Sequence, residues 1–152
     1  SGGRLTEVDP EDWWDVVDSN LRGTVSLARA ALPHLVVGRS PSIVLVSSVV
    51  GVIGHAGDTA YASAKAAMIG FGRSLAKEVA RDGVRVNILA PGFVETDMTG
   101  AVSPRARKRI EDQTIIRRLG TVDEIARAAV FLSEDATFCT GAVLAVDGGW
   151  SL

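Results

Sequence analysis

Cysteine is nearly missing from this sequence. Cys139 stands alone in 152 residues, so an intrachain disulfide framework is excluded. Aromatic side chains make up only 5%, and the 16 basic residues are offset by 18 acidic ones, so neither the stacking platform nor the strongly basic face of a nucleic-acid binder is present. No apolar run approaches the roughly 18 residues of a membrane span, and no charged segment ahead of an apolar one marks a leader. The two histidines, His34 and His55, lack His, Cys or carboxylate companions at ligand spacing, which argues against a metal site. These absences leave a cytoplasmic globular protein with no nucleic-acid and no membrane partner as the expectation. With 47% apolar residues the chain has material for a core, and nothing in residues 1–152 marks a domain boundary.

What is present reads as alternating helices and strands. Asp9-Pro10-Glu11-Asp12 is a helix start, with a capping aspartate, a proline at the first helical position and acids facing the positive end of the dipole. Trp13, Val16, Val17, Leu21, Val25, Ala28 and Leu32 then recur at helical spacing, with Asn20 on or beside the stripe and at least one of Trp13 and Trp14 expected in a core or interface. Residues 43–46 form a short β-branched run that suits a strand buried on both faces. A glycine-containing loop (51–57) leads to a helix over 59–81, with Gly83 as its cap and Gly70 and Gly72 inside it, where close backbone approach would explain them. A second strand spans 84–89. The basic stretch 104–118 reads as a helix with a solvated face, Thr121 to Glu124 as a capping box opening another helix, and 142–146 as a third strand. Cys139 reads as a small buried hydrophobe. This rhythm predicts an α/β fold with a doubly wound, three-layer, Rossmann-like parallel sheet, of which three strands represent only the C-terminal portion.

The chemistry concentrates on one helix and two strand ends. Tyr61 is the only tyrosine, and Lys65 follows one helical turn later on the same face. An ammonium at that distance stabilises the ionised phenol, which suits proton transfer. Ser48 closes the first strand at the carboxyl end, where parallel sheets place ligands, and Pro91-Gly92 follows the next. His55, in the loop before Tyr61, is positioned to border a substrate pocket.

The set Asn20-Leu21-Arg22-Gly23, Val46-Ser47-Ser48, Tyr61-Ala62-Ser63-Ala64-Lys65, Pro91-Gly92-Phe93-Val94-Glu95-Thr96 and Val146-Asp147-Gly148-Gly149 resembles the short-chain dehydrogenase/reductase family in order and spacing along essentially the whole chain. Within it, the run 91–98 with Ile69-Gly70-Phe71 and Arg118-Leu119-Gly120 is most similar to the beta-ketoacyl-[acyl-carrier-protein] reductases of fatty-acid synthesis. The resemblance implies catalytic roles for Asn20, Ser48, Tyr61 and Lys65. Tyr61 is then the general acid, Lys65 its electrostatic support and the holder of the nicotinamide ribose hydroxyls. Ser48 would stabilise the developing alkoxide, and Asn20 would anchor a proton-relaying water. It further implies that Tyr61, Lys65, Pro91, Gly92, Val94 and Thr96 contact the cofactor. That cofactor is NADP(H), with NAD(H) possible.

The implied substrate is a small-molecule or acyl-carrier-bound ketone, and the implied assembly is a homo-oligomer, dimer or tetramer. The segment 97–120 would cover the substrate. The Gly-rich pyrophosphate turn of the family is not in this sequence, so the resemblance implies a missing amino-terminal cofactor-binding half, and the chain alone is expected to be inactive. Two alternatives stay open: a related dehydrogenase acting on another alcohol or ketone, and a non-catalytic fragment that associates with intact subunits.

Overall fold

A computed structural model describes residues 2–96 and 103–152, so Asp97 and Met98 of the expected motif, and the start of the expected substrate-covering segment, lie outside the described residues. Three parallel strands, β1 (Ser42–Val46), β2 (Arg85–Pro91) and β3 (Val143–Val146), form one sheet in the order β1-β2-β3. Register runs Ser42 against Arg85 and Val46 against Leu89 on one side of β2, and Ile88 against Val143 on the other.

The first helix, α1 (Pro10–Leu35), starts as expected, with the Asp9 carboxylate accepting the Glu11 N–H at 2.8 Å. It packs on α3 (Thr59–Glu78), and together they cover one sheet face. Ala28, Leu75, Ala76 and Val79 meet Leu45, Val86 and Ile88 there. Leu89 faces the other way, with Leu132 and Ala136 and with Ile125 and Ala128 of α5 (Val122–Val130). Alternate residues of β2 thus serve different helical layers, which makes the fold a three-layer α/β arrangement. The middle strand is buried from Val86 to Ala90.

Burial on both faces fails for β1, where only Leu45 is buried and Val46 is 51% exposed. Among the described residues β1 pairs with β2 alone.

Other boundaries also depart from the sequence reading. The glycine-containing loop opens with a one-turn helix, α2 (Val50–Ile53), ended by Gly54 at φ +75°. The long helix stops at Glu78, and a 3₁₀ turn (Ala80–Asp82) carries the chain to Gly83 at φ +73°. Gly72 does permit close packing, since an added Cβ would lie 2.9 Å from both Ile88 and Leu45, but Gly70 has nothing within 4 Å.

The basic helix α4 (Pro104–Gln113) ends five residues before Arg118. Thr114 is buried and extended, its methyl lying where a Cβ on Gly148 would clash, and Arg117 turns at φ +61°. The basic face is solvated and laced with ion pairs: Arg107 with Glu95 and Glu111, Lys108 with Asp112, and Arg118 with Glu124. The capping box forms, with the Glu124 N–H donating to Thr121 Oγ1 and the Thr121 N–H to the Glu124 carboxylate. Trp13 is half-buried and donates from Nε1 to Thr59 Oγ1 at 3.0 Å, whereas Trp14 is 65% exposed. Cys139 is half-buried against the Leu89–Leu132 cluster.

One buried polar side chain joins the sheet to the segment that enters β3. Asn87 is fully buried, donates from Nδ2 to the Cys139 carbonyl at 2.8 Å, and accepts the Ala142 N–H at 3.2 Å. Asn87→Ala leaves both backbone groups unpaired in the core. Its expected cost is about 2–4 kcal/mol, read as a lowered urea midpoint with unchanged slope.

Candidate active site

The carboxyl ends of β1 and β2 lie side by side, and the chain leaving each is tied to the other. The Ser47 N–H donates to the Leu89 carbonyl at 2.8 Å and the Val49 N–H to the Pro91 carbonyl at 2.9 Å. Ser47 is buried and sends its hydroxyl to the Lys65 carbonyl in α3 at 2.7 Å. Gly51 lies directly on the same turn of α3, where an added Cβ would stand 2.6 Å from the Lys65 carbonyl carbon and 2.8 Å from the Ala66 nitrogen. These contacts set the depth and rotation of α3 against the strand end, and so bring Tyr61 towards Ser48.

Tyr61 and Lys65 occupy one face of α3, as their spacing predicts. The ammonium lies 5.4 Å from the centroid of the phenol ring and donates to the Val46 carbonyl at 3.2 Å. That placement combines a cation–π contact with a neutral acceptor. Burial lowers the Lys65 pKa from the ordinary lysine value of 10.5. Ser48 is half-buried and its Oγ accepts the Val50 N–H at 3.3 Å, which leaves the hydroxyl proton to donate elsewhere.

Ser48 and Tyr61 line a single cleft of about 320 Å³, together with Gly92, Phe93 and Val94 from the end of β2. That volume accommodates a small organic ligand. A second cavity of about 230 Å³ lies between the start of α1 and the start of α3, and Tyr61 borders it as well.

The segment after β2 is built for close approach. The Gly92 N–H donates to the Val146 carbonyl at 3.0 Å, and an added Cβ would meet the Asp147 Cα at 2.7 Å. Val94 pairs with Gly120 as a single parallel bridge, flanked by bonds from Glu95 N–H to Gly120 and from Gly120 N–H to Phe93. Arg107 of α4 holds the Glu95 carboxylate from outside. Thr96 is exposed at the last described position of this segment.

Ser48, Tyr61, Gly92 and Val94 of the expected site residues line the cleft; Lys65, Pro91 and Thr96 do not, and neither does Asn20. It is half-buried in α1 and its Nδ2 donates to the Val16 carbonyl of its own helix at 2.9 Å.

Two wall residues, Asp58 and Trp150, carried no sequence signal strong enough to assign them. His55 borders the cleft, as its loop position suggests, but its partner Asp58 and the ring of Trp150 come from elements the spacing does not connect. An aspartate directly before a helix reads as a cap, and a tryptophan after Gly148-Gly149 has no period. Trp150 is set by the turn around Asp147, whose carboxylate accepts the Gly149 and Ser151 N–H groups at 2.9 Å each. Burial would raise the Asp147 pKa, and these hydrogen bonds outweigh it to leave the group below its usual value. Among the described residues no group of His, Cys, Asp or Glu is arranged to hold a metal ion, and no helix is long and apolar enough to cross a membrane.

Comparison with known proteins gives a consistent result. The family described as enoyl-(acyl carrier protein) reductase matches residues 1–151. The 3-oxoacyl-[acyl-carrier-protein] reductase FabG of Escherichia coli K12 is 44% identical over 146 residues, which is 95% of this chain and 60% of that protein. The protein of the same name from Thermotoga maritima is 40% identical, with 95% and 59% covered. A crystal structure of 3-oxoacyl-[acyl-carrier protein] reductase from Brucella melitensis superimposes with a TM-score of 0.93 at 36% identity, covering 99% of this chain and 57% of that one. The chain therefore spans about 60% of the length of the relatives it matches.

Two outcomes follow from this geometry. Gly51→Ala forces α2 off α3 and is expected to cost about 1–3 kcal/mol, measured by thermal unfolding. Lys65 sheds its proton at lower pH in the folded chain than in the unfolded one, so between its lowered pKa and 10.5 the unfolded state binds more protons and stability rises with pH. Denaturant titrations at several pH values are expected to show wild type gaining on Lys65→Met as pH climbs towards 10.5.

Proposed function

This chain belongs to the short-chain dehydrogenase/reductase family, and we propose that its Ser48–Tyr61 cleft reduces a ketone to a secondary alcohol, with Tyr61 as the proton donor. The observation that carries the proposal is the shared cleft itself: a serine hydroxyl and a phenol line one wall, and the ammonium of Lys65 stands against the phenol ring. A reduced nicotinamide dinucleotide supplies hydride when bound. The chain's own residues act on oxygen. Ser48 donates its hydroxyl proton as a hydrogen bond to the carbonyl oxygen and strengthens that bond as negative charge develops there. Tyr61 transfers its phenolic proton to the same oxygen, completing the alcohol, and Lys65 stabilises the phenolate that remains.

The donor chemistry at this end fits the nicotinamide and its ribose. Among the described residues Lys65 faces a neutral carbonyl and an aromatic ring and no carboxylate, so its ammonium keeps donors for neutral hydroxyls. Pro91, Gly92, Val94 and Thr96 form the adjoining edge, where the missing side chain of Gly92 lets the strand end pack directly on Asp147. The sequence carries no glycine-rich turn of the pyrophosphate-binding kind, so the proposed contacts concern the nicotinamide end alone. The names of the relatives support a 3-oxoacyl thioester on acyl carrier protein as the substrate.

Reduction of an acetoacetyl thioester by the full-length protein, followed by loss of nicotinamide absorbance with NADPH and NADH in parallel, tests the proposal. Tyr61→Phe keeps the ring but removes the proton, and kcat is expected to fall about 10²- to 10⁴-fold. Unchanged turnover in that variant would remove Tyr61 from its role.

A further inference from the structure

We infer that His55, oriented by Asp58 and flanked by Trp150, is a second substrate-contact residue that binds the other carbonyl oxygen of a 1,3-dicarbonyl substrate, the thioester oxygen of a 3-oxoacyl chain. The inference rests on the ketone-reduction proposal above and deepens it by assigning a specificity determinant.

The first support is a local rule that this chain breaks. Asp58 occupies the N-cap position of α3, where a carboxylate ordinarily accepts N–H groups of the first turn, yet its side chain makes no capping bond. Its Oδ2 instead lies 2.8 Å from His55 Nδ1. Helix capping is forgone at this position while the imidazole is held, which is the pattern of a functional site.

The loop is shaped to keep that pair together. Gly54 and Gly57 bracket it at φ +75° and +90°, and the Asp58 N–H donates back to the His55 carbonyl at 3.2 Å. Both side chains remain about two-fifths exposed, so the pair is accessible from the cleft that it lines with Ser48 and Tyr61.

The ring chemistry points to an oxygen ligand. Nδ1 is occupied by the Asp58 carboxylate, so Nε2 is the ring atom left for a ligand, and it donates to a carbonyl oxygen when it carries a proton. Trp150 lies 6.0 Å from the imidazole centroid and meets Phe93 edge-on at 5.0 Å, so an aromatic wall runs from His55 towards the end of β2. A 3-oxoacyl thioester carries its two carbonyls one methylene apart. With the ketone oxygen at Ser48 and Tyr61, the second oxygen falls within the same cleft, where His55 and Trp150 are the side-chain donors that the reduction chemistry leaves unused and His55 is the one held by a carboxylate.

Two measurements test this on the whole protein. The His55 ring resonance is assignable by its loss in His55→Gln. Without nicotinamide cofactor, acetoacetyl-pantetheine is expected to move the His55 signal and leave His34 in place, whereas pentan-2-one, which lacks the second carbonyl, does not. A signal that responds to neither compound, or equally to both, overturns the inference. In turnover, His55→Ala is expected to raise KM for the thioester far more than it lowers kcat, and to reduce the preference for the thioester over pentan-2-one about tenfold. His55→Gln, which keeps an N–H donor, should recover part of that preference, and Asp58→Asn should fall between. Equal losses on both ketones overturn the inference. A wild-type protein that reduces no ketone, yet shows the selective resonance shift, counts against ketone reduction and in favour of His55 recognition.

Discussion

The site depends on a single join, the seating of α3 on the end of β1. Ser47 is buried and gives its hydroxyl to the carbonyl of Lys65, and Gly51 lets the backbone of α2 lie against that same residue. A helix held by hydrogen bonding and by backbone contact at one turn has little freedom to rotate or slide. The side chains one turn apart on its cleft face are therefore delivered at fixed height beside Ser48. Functional groups built on rigid elements keep their geometry in this way, whereas groups on loops need their own supports.

Those supports are visible in the walls that α3 does not supply. Asn87 secures the segment entering β3, and Asp147 organises the turn after it, which presents Trp150. Arg107 and Glu95 brace the chain beyond Phe93 from the solvent side. Charge is distributed accordingly. Carboxylates and guanidiniums pair on the exposed faces of α4 and α5, while Lys65 is half-buried with a carbonyl and an aromatic ring for company. A surface pair is screened by water and salt, but a partly desolvated ammonium acts strongly on whatever lies next to it.

Much of this was legible in the residues. The Tyr61–Lys65 pair lies on one helical face because a four-residue step only slightly overshoots one turn, and the capping box at Thr121 and Glu124 forms because its requirements are local. Local rules failed where a tertiary contact intervened. The glycine-containing loop hides a helical turn, and the basic helix ends at a buried threonine. Gly70 and Gly72 look alike in sequence, yet only Gly72 faces the sheet.

By itself the sequence determined the α/β alternation, the strand ends that carry Ser48 and Pro91, and the face shared by Tyr61 and Lys65. Each follows from a period or a cap within one element. Tertiary structure decided which of those pieces share a cleft. It turned the Asn20 amide into its own helix and brought His55, Asp58 and Trp150 to the cleft that Tyr61 borders. Those placements depend on how separate elements pack, and no spacing along the chain encodes a distance between residues nearly a hundred positions apart, such as His55 and Trp150.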